Sequence, residues 1–189
     1  RYVLGLYDLL ERITSRYPDI LFESCSGGGG RFDCGMHYYM PQAWTSDDTD
    51  PIERLKIQEG TSLVYPTSSM GSHVSAVPNH QVGRMTPLHT RGVVAMAGSF
   101  GYELDVTKMS NEEKEEVKKQ VEFYKNISST VQYGDLYRLK SSFNSNEAAW
   151  MSISKDKNNI VVSYVKKYGE PNVLSKKLKL KGLNEDSLY

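Results

Sequence analysis

The sequence predicts an α/β unit followed by an all-β unit within 189 residues. Up to about residue 134, amphipathic helical stretches alternate with short apolar runs that are typical of buried parallel strands. Beyond that point only short alternating runs remain, separated by turns rich in Asn, Lys, Asp and Gly. Because the two patterns belong to different layer architectures, we expect two domains, residues 1–134 and residues 135–189.

Three longer helices are predicted by apolar periodicity and by their end signals. The first spans Tyr2–Arg16, where apolar residues recur on one face. Asp50 is expected to cap the second, which should end near Thr61, because Pro occupies the first helical position and Glu lies three residues after the cap. Ser110 begins the third with a capping box. A shorter helix is expected near residues 32–39.

The strands are predicted from short apolar or alternating runs bounded by turns. In the first unit they are expected at residues 20–24 and 43–46, within residues 62–84, and at residues 92–98. In the second unit the runs are residues 148–154, 160–166 and 176–181. The turn at residues 156–159 lies between the first two of these runs and is typical of a hairpin. About four strand–helix units result, half the number that closes an eight-stranded barrel.

Composition excludes several function classes. The formal net charge is zero, so neither nucleic acid nor an anionic membrane is indicated as a partner. No apolar run approaches the roughly 20 residues of a membrane-spanning helix, and the first residues do not match a signal peptide. Cys25 and Cys34 do not make a disulfide framework, so a reduced cytoplasmic protein is expected. The chain starts directly inside a helical pattern, which indicates a segment of a longer protein.

Two loops carry the polar residues expected of a ligand site. In parallel α/β folds, catalytic groups lie on the loops after the carboxyl ends of the strands. The loop after the first predicted strand contains Cys25, a run of four glycines and Arg31. The loop after the second contains Trp44 followed by three aspartates. Trp44 suits stacking on a sugar ring and packing in the core equally well, so both interpretations are kept.

Local structure separates the three aspartates. Asp50 is explained by its role as a helix cap. Asp47 ends the predicted strand, where side chains project toward the mouth of a barrel, and Asp48 alternates to the opposite face. Spacing therefore favours Asp47 over Asp48 as an acid, although a turn or capping role also suits an aspartate at the end of a strand.

Nucleotide and metal sites are not supported by spacing. The glycine run, followed by an acid about twenty residues later, is suggestive of a dinucleotide loop. However, Phe32 occupies the last glycine position of that motif, and no Gly-Lys-Ser/Thr follows. His73, His80 and His89 are not at metal-ligand spacing, so we expect them to form hydrogen bonds in loops. We therefore predict neither a cofactor nor a metal.

Four segments resemble glycoside hydrolase family 36, the group of bacterial α-galactosidases. Cys25-x-x-Gly28-x-x-Arg31 matches the glycine-rich substrate-binding motif of that family. Residues 44–50 (WTSDDTD) are similar to the segment that bears its general acid/base. The other two segments are residues 60–66 and 73–81. The resemblance extends over nearly the whole chain.

The resemblance implies that residues 1–134 are the C-terminal half of a catalytic (β/α)8 TIM-type barrel and residues 135–189 an incomplete C-terminal β-sandwich domain. It implies hydrolysis, with retention, of terminal α-linked galactose from oligosaccharides such as melibiose and raffinose, without a cofactor. Half a barrel has open strand edges, so we also expect a homo-oligomer. Two alternatives remain: an α-N-acetylgalactosaminidase of the same clan, and a non-catalytic fragment that binds sugar or another chain.

The resemblance also implies roles for individual residues. Asp47 would be the general acid/base, Cys25 and Gly28 would contact the galactose hydroxyl groups, and Arg31 would lie nearby. A retaining glycosidase needs a second carboxyl group as nucleophile. The family carries it in a Lys-Trp-Asp motif on the strand before the first helix, and this chain contains no such motif. From the residues alone, Glu23 on the first predicted strand is a candidate for it.

Overall fold

The computed structural model describes residues 1–25, 32–172, 175–185 and 189. Within them a four-stranded parallel sheet with helices is followed by a three-stranded antiparallel sheet, which confirms the predicted order. The helices are α1 (Tyr2–Arg16), α2 (Cys34–Tyr39), α3 (Pro51–Thr61), α4 (Leu88–Ala95) and α5 (Asn111–Tyr133). The strands are β1 (Glu23–Ser24), β2 (Gln42–Trp44), β3 (Met70–Ser75), β4 (Ser99–Glu103), β5 (Asp135–Lys140), β6 (Glu147–Ile153) and β7 (Ile160–Lys166). No helix of these residues is long and apolar enough to cross a bilayer.

In each sheet, strands that follow one another in the chain are also hydrogen-bonded neighbours. β1 to β4 are all parallel, with Trp44 opposite Gly71 and Gly71 opposite Ser99. β5 to β7 are antiparallel, and the β6–β7 hairpin turns at residues 156–159, as predicted. Parallel order puts the carboxyl ends of β1 to β4 at one edge, so the loops that follow them lie side by side.

The end signals predicted the helix starts correctly. Oδ2 of Asp50 accepts hydrogen bonds from the backbone N–H groups of Ile52 and Glu53 at 3.0 and 3.1 Å. Ser110 and Glu113 form the reciprocal capping box at the start of α5. α1 and α3 have the predicted bounds. A cap acts within one turn of its helix, so a few residues are enough to identify it.

The prediction of a strand at residues 92–98 is wrong. These residues end α4, and the strand of this unit is β4, which starts at Ser99. Val94 packs toward the antiparallel sheet and Ala95 toward β3, and both side chains are only 2% exposed. When a short apolar run is buried on several faces, the spacing of its apolar residues does not distinguish a helix from a strand.

Other strand predictions also differ from the structure. β1 and β2 are shorter than predicted, and residues 176–181 form no strand. The ammonium group of Lys176 instead lies 2.6 Å from the carboxylate of Glu147. β5 has no counterpart among the predicted strands; it starts directly after Gly134, where a Cβ atom would overlap two backbone carbonyl oxygens. Pairing with β6, rather than a clear pattern of its own, makes this segment a strand.

The two sheets share a core around α3 and α4. Its buried members come from α3, α4, β6 and β7; they are Ile52, Leu55, Val94, Ala148 and Val165. Glu59 of α3 adds polar contacts, since its carboxylate accepts hydrogen bonds from the N–H and hydroxyl of Ser142 at 2.7 and 2.6 Å. Burial would raise the pKa of Glu59, but hydrogen bonds from Ser141 and Ser142 hold it below its ordinary value. The antiparallel sheet is thereby attached to the helices of the parallel unit.

Glu147 of β6 is held in its charged form by neighbouring residues of the antiparallel unit. Its side chain is almost fully buried, and its carboxylate pairs with the ammonium groups of Lys140 and Lys176. Hydrogen bonds from Lys140, Lys176 and Tyr164 lower the pKa of Glu147 to about 2. The folded protein therefore favours the charged form of this carboxyl group.

Glu147→Gln is expected to reduce the protection of the β6 and β7 amides from hydrogen exchange at neutral pH. A carboxylate with a lowered pKa stabilises the fold fully above its ordinary pKa of 4.5, and this contribution is lost as the pH falls toward 2. Wild type and variant should therefore differ above pH 4.5 and converge near pH 2. A difference in protection that does not change with pH would contradict this assignment.

Candidate active site

Loops at the carboxyl-terminal edge of the parallel sheet bring several predicted site residues together. Cys25 follows β1 directly and is exposed, and Trp44 is the last residue of β2. β1 and β2 pair from Glu23 opposite Gln42 to Ser24 opposite Ala43, and Cys25 and Trp44 directly follow the last of these pairs. Gly28 and Arg31 lie outside the described residues.

The three aspartates have different surroundings. Asp50 is fully buried, caps α3 and forms an ion pair with Arg84. Asp48 is half-buried, and its Oδ1 accepts a hydrogen bond from the backbone N–H of Asp50 at 3.0 Å. Asp47 is exposed, and its carboxylate has no hydrogen bond or ion pair within the described residues. Of the three, Asp47 alone keeps both carboxylate oxygens available to a ligand in this part of the chain.

Asp47 lies in a loop and not at the tip of a strand, because β2 ends at Trp44. Arg54 of α3 inserts where β2 and β3 separate. Its guanidinium group donates hydrogen bonds to the carbonyl oxygen of Gly71 at 2.7 Å and to that of Ser46 at 3.4 Å. Arg54 is 3% exposed, and burial lowers its pKa to about 10. The residue before Asp47 is thus tied to the neighbouring strand through a buried cation.

A second buried arginine repeats this arrangement one unit later. Arg91 of α4 donates hydrogen bonds to the carbonyl oxygens of Ser75 and Thr86, at 2.7 and 3.0 Å. Burial lowers the pKa of Arg91 as well. The sequence analysis did not identify Arg54 or Arg91, since a single arginine within a helix belongs to no local motif.

Two rings pack against each other beside the aspartate loop. The ring centroids of Trp44 and His73 are 4.6 Å apart, and the Arg54 guanidinium lies 5.4 Å from the Trp44 ring. Glycines make room for both rings. A Cβ atom at Gly71 would lie 3.1 Å from Trp44 Cε3, and one at Gly101 would lie 2.5 Å from His73 Cδ2. Trp44 is half-buried, so it packs in the sheet and still presents part of its surface.

The expectation that His73 and His89 lie in loops is wrong, because His73 is part of β3 and His89 is part of α4. Burial lowers the pKa of His73 below its ordinary value, Glu23 and Glu103 oppose this change, and Arg54 adds to it. The imidazole is therefore neutral at pH 7. Its Nδ1 is buried and has no hydrogen-bond partner within the described residues.

Glu23, the second carboxylate considered from sequence, is exposed on β1. Its Oε2 accepts a hydrogen bond from the side-chain amide of Gln42 at 2.9 Å. Among the residues that the structure describes, no group of three or more His, Cys, Asp or Glu side chains could hold a metal ion. Glu23 and Asp47 are both exposed to solvent.

Comparison with known proteins identifies the family. The model described as melibiase matches residues 1–134, and the model of the glycosyl hydrolase family 36 C-terminal domain matches residues 147–189. The chain belongs to glycoside hydrolase family 36. This family-36 chain is 61% identical over 189 residues to the α-galactosidase AgaA of Geobacillus stearothermophilus and 60% identical to Mel36A of Lactobacillus acidophilus. All of the chain is matched in both, but it spans only 26% of either relative.

Solved structures agree with this assignment. A doubly substituted AgaA of Geobacillus stearothermophilus in complex with raffinose matches 98% of the family-36 chain, at a TM-score of 0.96 and 60% identity. A second AgaA variant, in complex with stachyose, matches at a TM-score of 0.96 and 61% identity. The chain again covers 26% of each of these proteins.

Proposed function

We propose that the chain provides the general acid/base and part of the sugar-binding surface of a retaining α-galactosidase. The substrates are oligosaccharides with terminal α-linked galactose, such as melibiose and raffinose. The observation that carries this proposal is the exposed carboxylate of Asp47, which has no partner within the described residues and lies at the sheet edge with Cys25 and Trp44. Because the chain spans about a quarter of the length of its relatives, the proposed activity is that of a whole enzyme to which this region contributes.

Asp47 acts twice in this mechanism. As an acid it protonates the glycosidic oxygen while the bond to the anomeric carbon breaks, and as a base it then removes a proton from the water that attacks the galactosyl-enzyme. Both steps need a carboxyl group that the substrate can approach, and the exposed side chain of Asp47 meets this need. Retaining enzymes hold the nucleophile about 5–5.5 Å away. We assign that carboxylate to a part of the enzyme outside this chain.

The galactose is proposed to bind at the loop after β1. Cys25 and Gly28 contact its hydroxyl groups, and Arg31 lies nearby. Glycines allow backbone N–H groups to approach a ligand closely, because they carry no Cβ atom. Trp44 offers an aromatic face to the C–H groups of the sugar ring. No cofactor takes part.

We further propose that residues 1–134 are half of a (β/α)8 barrel and that residues 135–189 are part of a β-sandwich domain. The parallel order of β1 to β4, with α4 packed against β3, supports the first assignment. The antiparallel strands β5 to β7 support the second. In such a barrel the loops after β1, β2 and β3 contribute to one active-site face.

The proposal is tested in a chimaera in which this chain replaces the matching quarter of AgaA from Geobacillus stearothermophilus. The two sequences are 61% identical over the exchanged region, so the exchange should preserve the fold. We expect the AgaA chimaera to release galactose from raffinose without an added metal. A folded chimaera that leaves α-galactosides intact would contradict the proposal. A preference for α-N-acetylgalactosaminides would instead support the alternative that the enzyme is an α-N-acetylgalactosaminidase.

Glu23→Gln in the AgaA chimaera tests whether this chain also holds the nucleophile. The only described hydrogen bond of Glu23 is with Gln42, so we expect kcat on an activated aryl α-galactoside to fall less than about tenfold, or about 1.4 kcal/mol. Loss of the nucleophile would instead prevent formation of the galactosyl-enzyme. Complete loss of turnover in this variant would place the second carboxylate on β1.

A further inference from the structure

Two side-chain amides connect the aspartate loop to the loop after β3. The Nε2 group of Gln81 donates a hydrogen bond to the backbone carbonyl of Asp47 at 2.5 Å. The Oε1 of the same amide accepts a hydrogen bond from the backbone N–H of Thr49 at 3.0 Å. The Gln81 side chain thus bonds a backbone carbonyl before Asp48 and a backbone N–H after it, as a neighbouring strand would.

Hydrogen bonds to the buried side chain of Asn79 hold the backbone at Gln81 in place. The Oδ1 of Asn79 accepts hydrogen bonds from the backbone N–H groups of Gln81 and Val82, both at 3.0 Å. Its Nδ2 donates to the hydroxyl of Thr49 at 3.1 Å. Asn79 is 2% exposed, whereas Gln81 lies at the exposed rim. The buried amide therefore supports the exposed one.

The direction of the Asp47 carboxylate depends on these backbone contacts. Within the described residues the carboxylate has no partner of its own, so the position of the loop decides where it points. Other hydrogen bonds hold the neighbouring residues: Arg54 donates to the carbonyl of Ser46 at 3.4 Å, and the Asp48 N–H donates to the hydroxyl of Ser46 at 3.1 Å. Within the described residues, the bond from Gln81 is the one to the Asp47 carbonyl itself. A general acid must lie within hydrogen-bond reach of the oxygen that it protonates, and a displacement of about 1 Å can reduce the rate about 100-fold.

We propose that Gln81 is a positioning residue that aims Asp47 at the glycosidic oxygen. This inference rests on the proposed acid/base role of Asp47. Gln81 does not touch the sugar in this scheme; it acts through the backbone of Asp47 and Thr49. Gln81 is exposed and Asn79 is buried. Replacing Gln81 therefore removes its hydrogen bonds to Asp47 and Thr49 and leaves the buried contacts of the loop intact.

The test compares leaving groups in the AgaA chimaera that carries Gln81→Ala. Raffinose has a poor leaving group that requires protonation, whereas a dinitrophenyl α-galactoside requires almost none. We expect kcat/KM on raffinose, which reports formation of the galactosyl-enzyme, to fall about 10- to 100-fold, and kcat/KM on the dinitrophenyl substrate to fall less than about threefold. Gln81→Glu, which places a carboxylate oxygen against the Asp47 carbonyl, should show the same selective loss. Val82→Ala, on the same turn and 44% exposed, should change neither rate.

The outcomes separate this inference from the function on which it rests. Asp47→Asn is measured in parallel, and its selective loss on raffinose is the requirement of the proposed function. If Asp47→Asn shows that loss and both Gln81 variants reduce the two substrates equally, Gln81 supports the fold and does not aim the acid. If both Gln81 variants behave as wild type, the hydrogen bonds from Gln81 to the aspartate loop are not needed for catalysis. Either result overturns the inference, and melting temperatures equal to wild type show that the variants are folded.

Discussion

Asp47→Asn is expected to abolish turnover of raffinose and melibiose by the AgaA chimaera, while the galactosyl-enzyme should still form from activated aryl α-galactosides. General acid catalysis contributes about 100- to 10,000-fold, and asparagine cannot donate the proton that a sugar leaving group needs. A dinitrophenyl leaving group departs without that proton, so galactosyl-enzyme still forms and then accumulates. Azide attacks this intermediate without a general base, so adding it should restore release of the sugar. The measurements are kcat for both substrate classes, with and without azide.

The neighbouring aspartates are the matched controls for Asp47→Asn. Asn at position 50 keeps the helix cap and loses only the ionic part of the contact with Arg84. Asn at position 48 keeps an oxygen that can accept the hydrogen bond from the Asp50 N–H. We therefore expect both variants to lose less than about tenfold in kcat. Loss of raffinose turnover in Asp48→Asn, with Asp47→Asn unaffected, would show that the acid is one residue further along the loop.

Arg54→Met should have the largest effect on the local stability of the parallel sheet. The change removes the Arg54 donor from the carbonyl oxygens of Ser46 and Gly71. The side-chain oxygen of Gln58 also loses Arg54 but keeps the hydroxyl of Ser72 as a donor at 2.7 Å. Each buried polar group left unsatisfied costs about 1–3 kcal/mol. We expect the free energy of local opening at β2 and β3 to fall by about 3 kcal/mol, seen as amide protection lower by on the order of 100-fold.

The same substitution at an exposed position controls for loss of charge. Arg12→Met breaks only a 3.8 Å contact with Asp8 at the surface of α1, where the Arg12 side chain is 76% exposed. Such exposed pairs contribute well under about 1 kcal/mol, so protection of β2 and β3 should not change. Arg54→Lys should be intermediate, because one ammonium group cannot match the geometry of several acceptors. Equal protection in Arg54→Met and Arg12→Met would contradict the role of Arg54 between the strands.

The features that could be predicted from sequence act over a few residues. Asp50 and Ser110 cap their helices through backbone groups two or three positions away, so both caps follow from the local pattern. The β6–β7 hairpin follows in the same way from four turn residues between two alternating runs. The motif around Asp47 also placed it correctly at the carboxyl-terminal side of β2, although the strand ends earlier than expected.

The features that required the tertiary structure join residues that are distant in the chain. Gln81 donates a hydrogen bond to the backbone of Asp47, 34 positions away in the chain. The sequence around either residue does not indicate this contact. His73 stacks on Trp44 only because β2 and β3 are neighbours in the parallel sheet. The apolar run at residues 92–98 ends a helix and turns into β4 because its helical part, up to Ala95, packs between two sheets, and burial on several faces removes the period that identifies an element. Local hydrogen bonds are therefore visible in the sequence, whereas the partners that position the proposed acid are chosen by the packing of the chain.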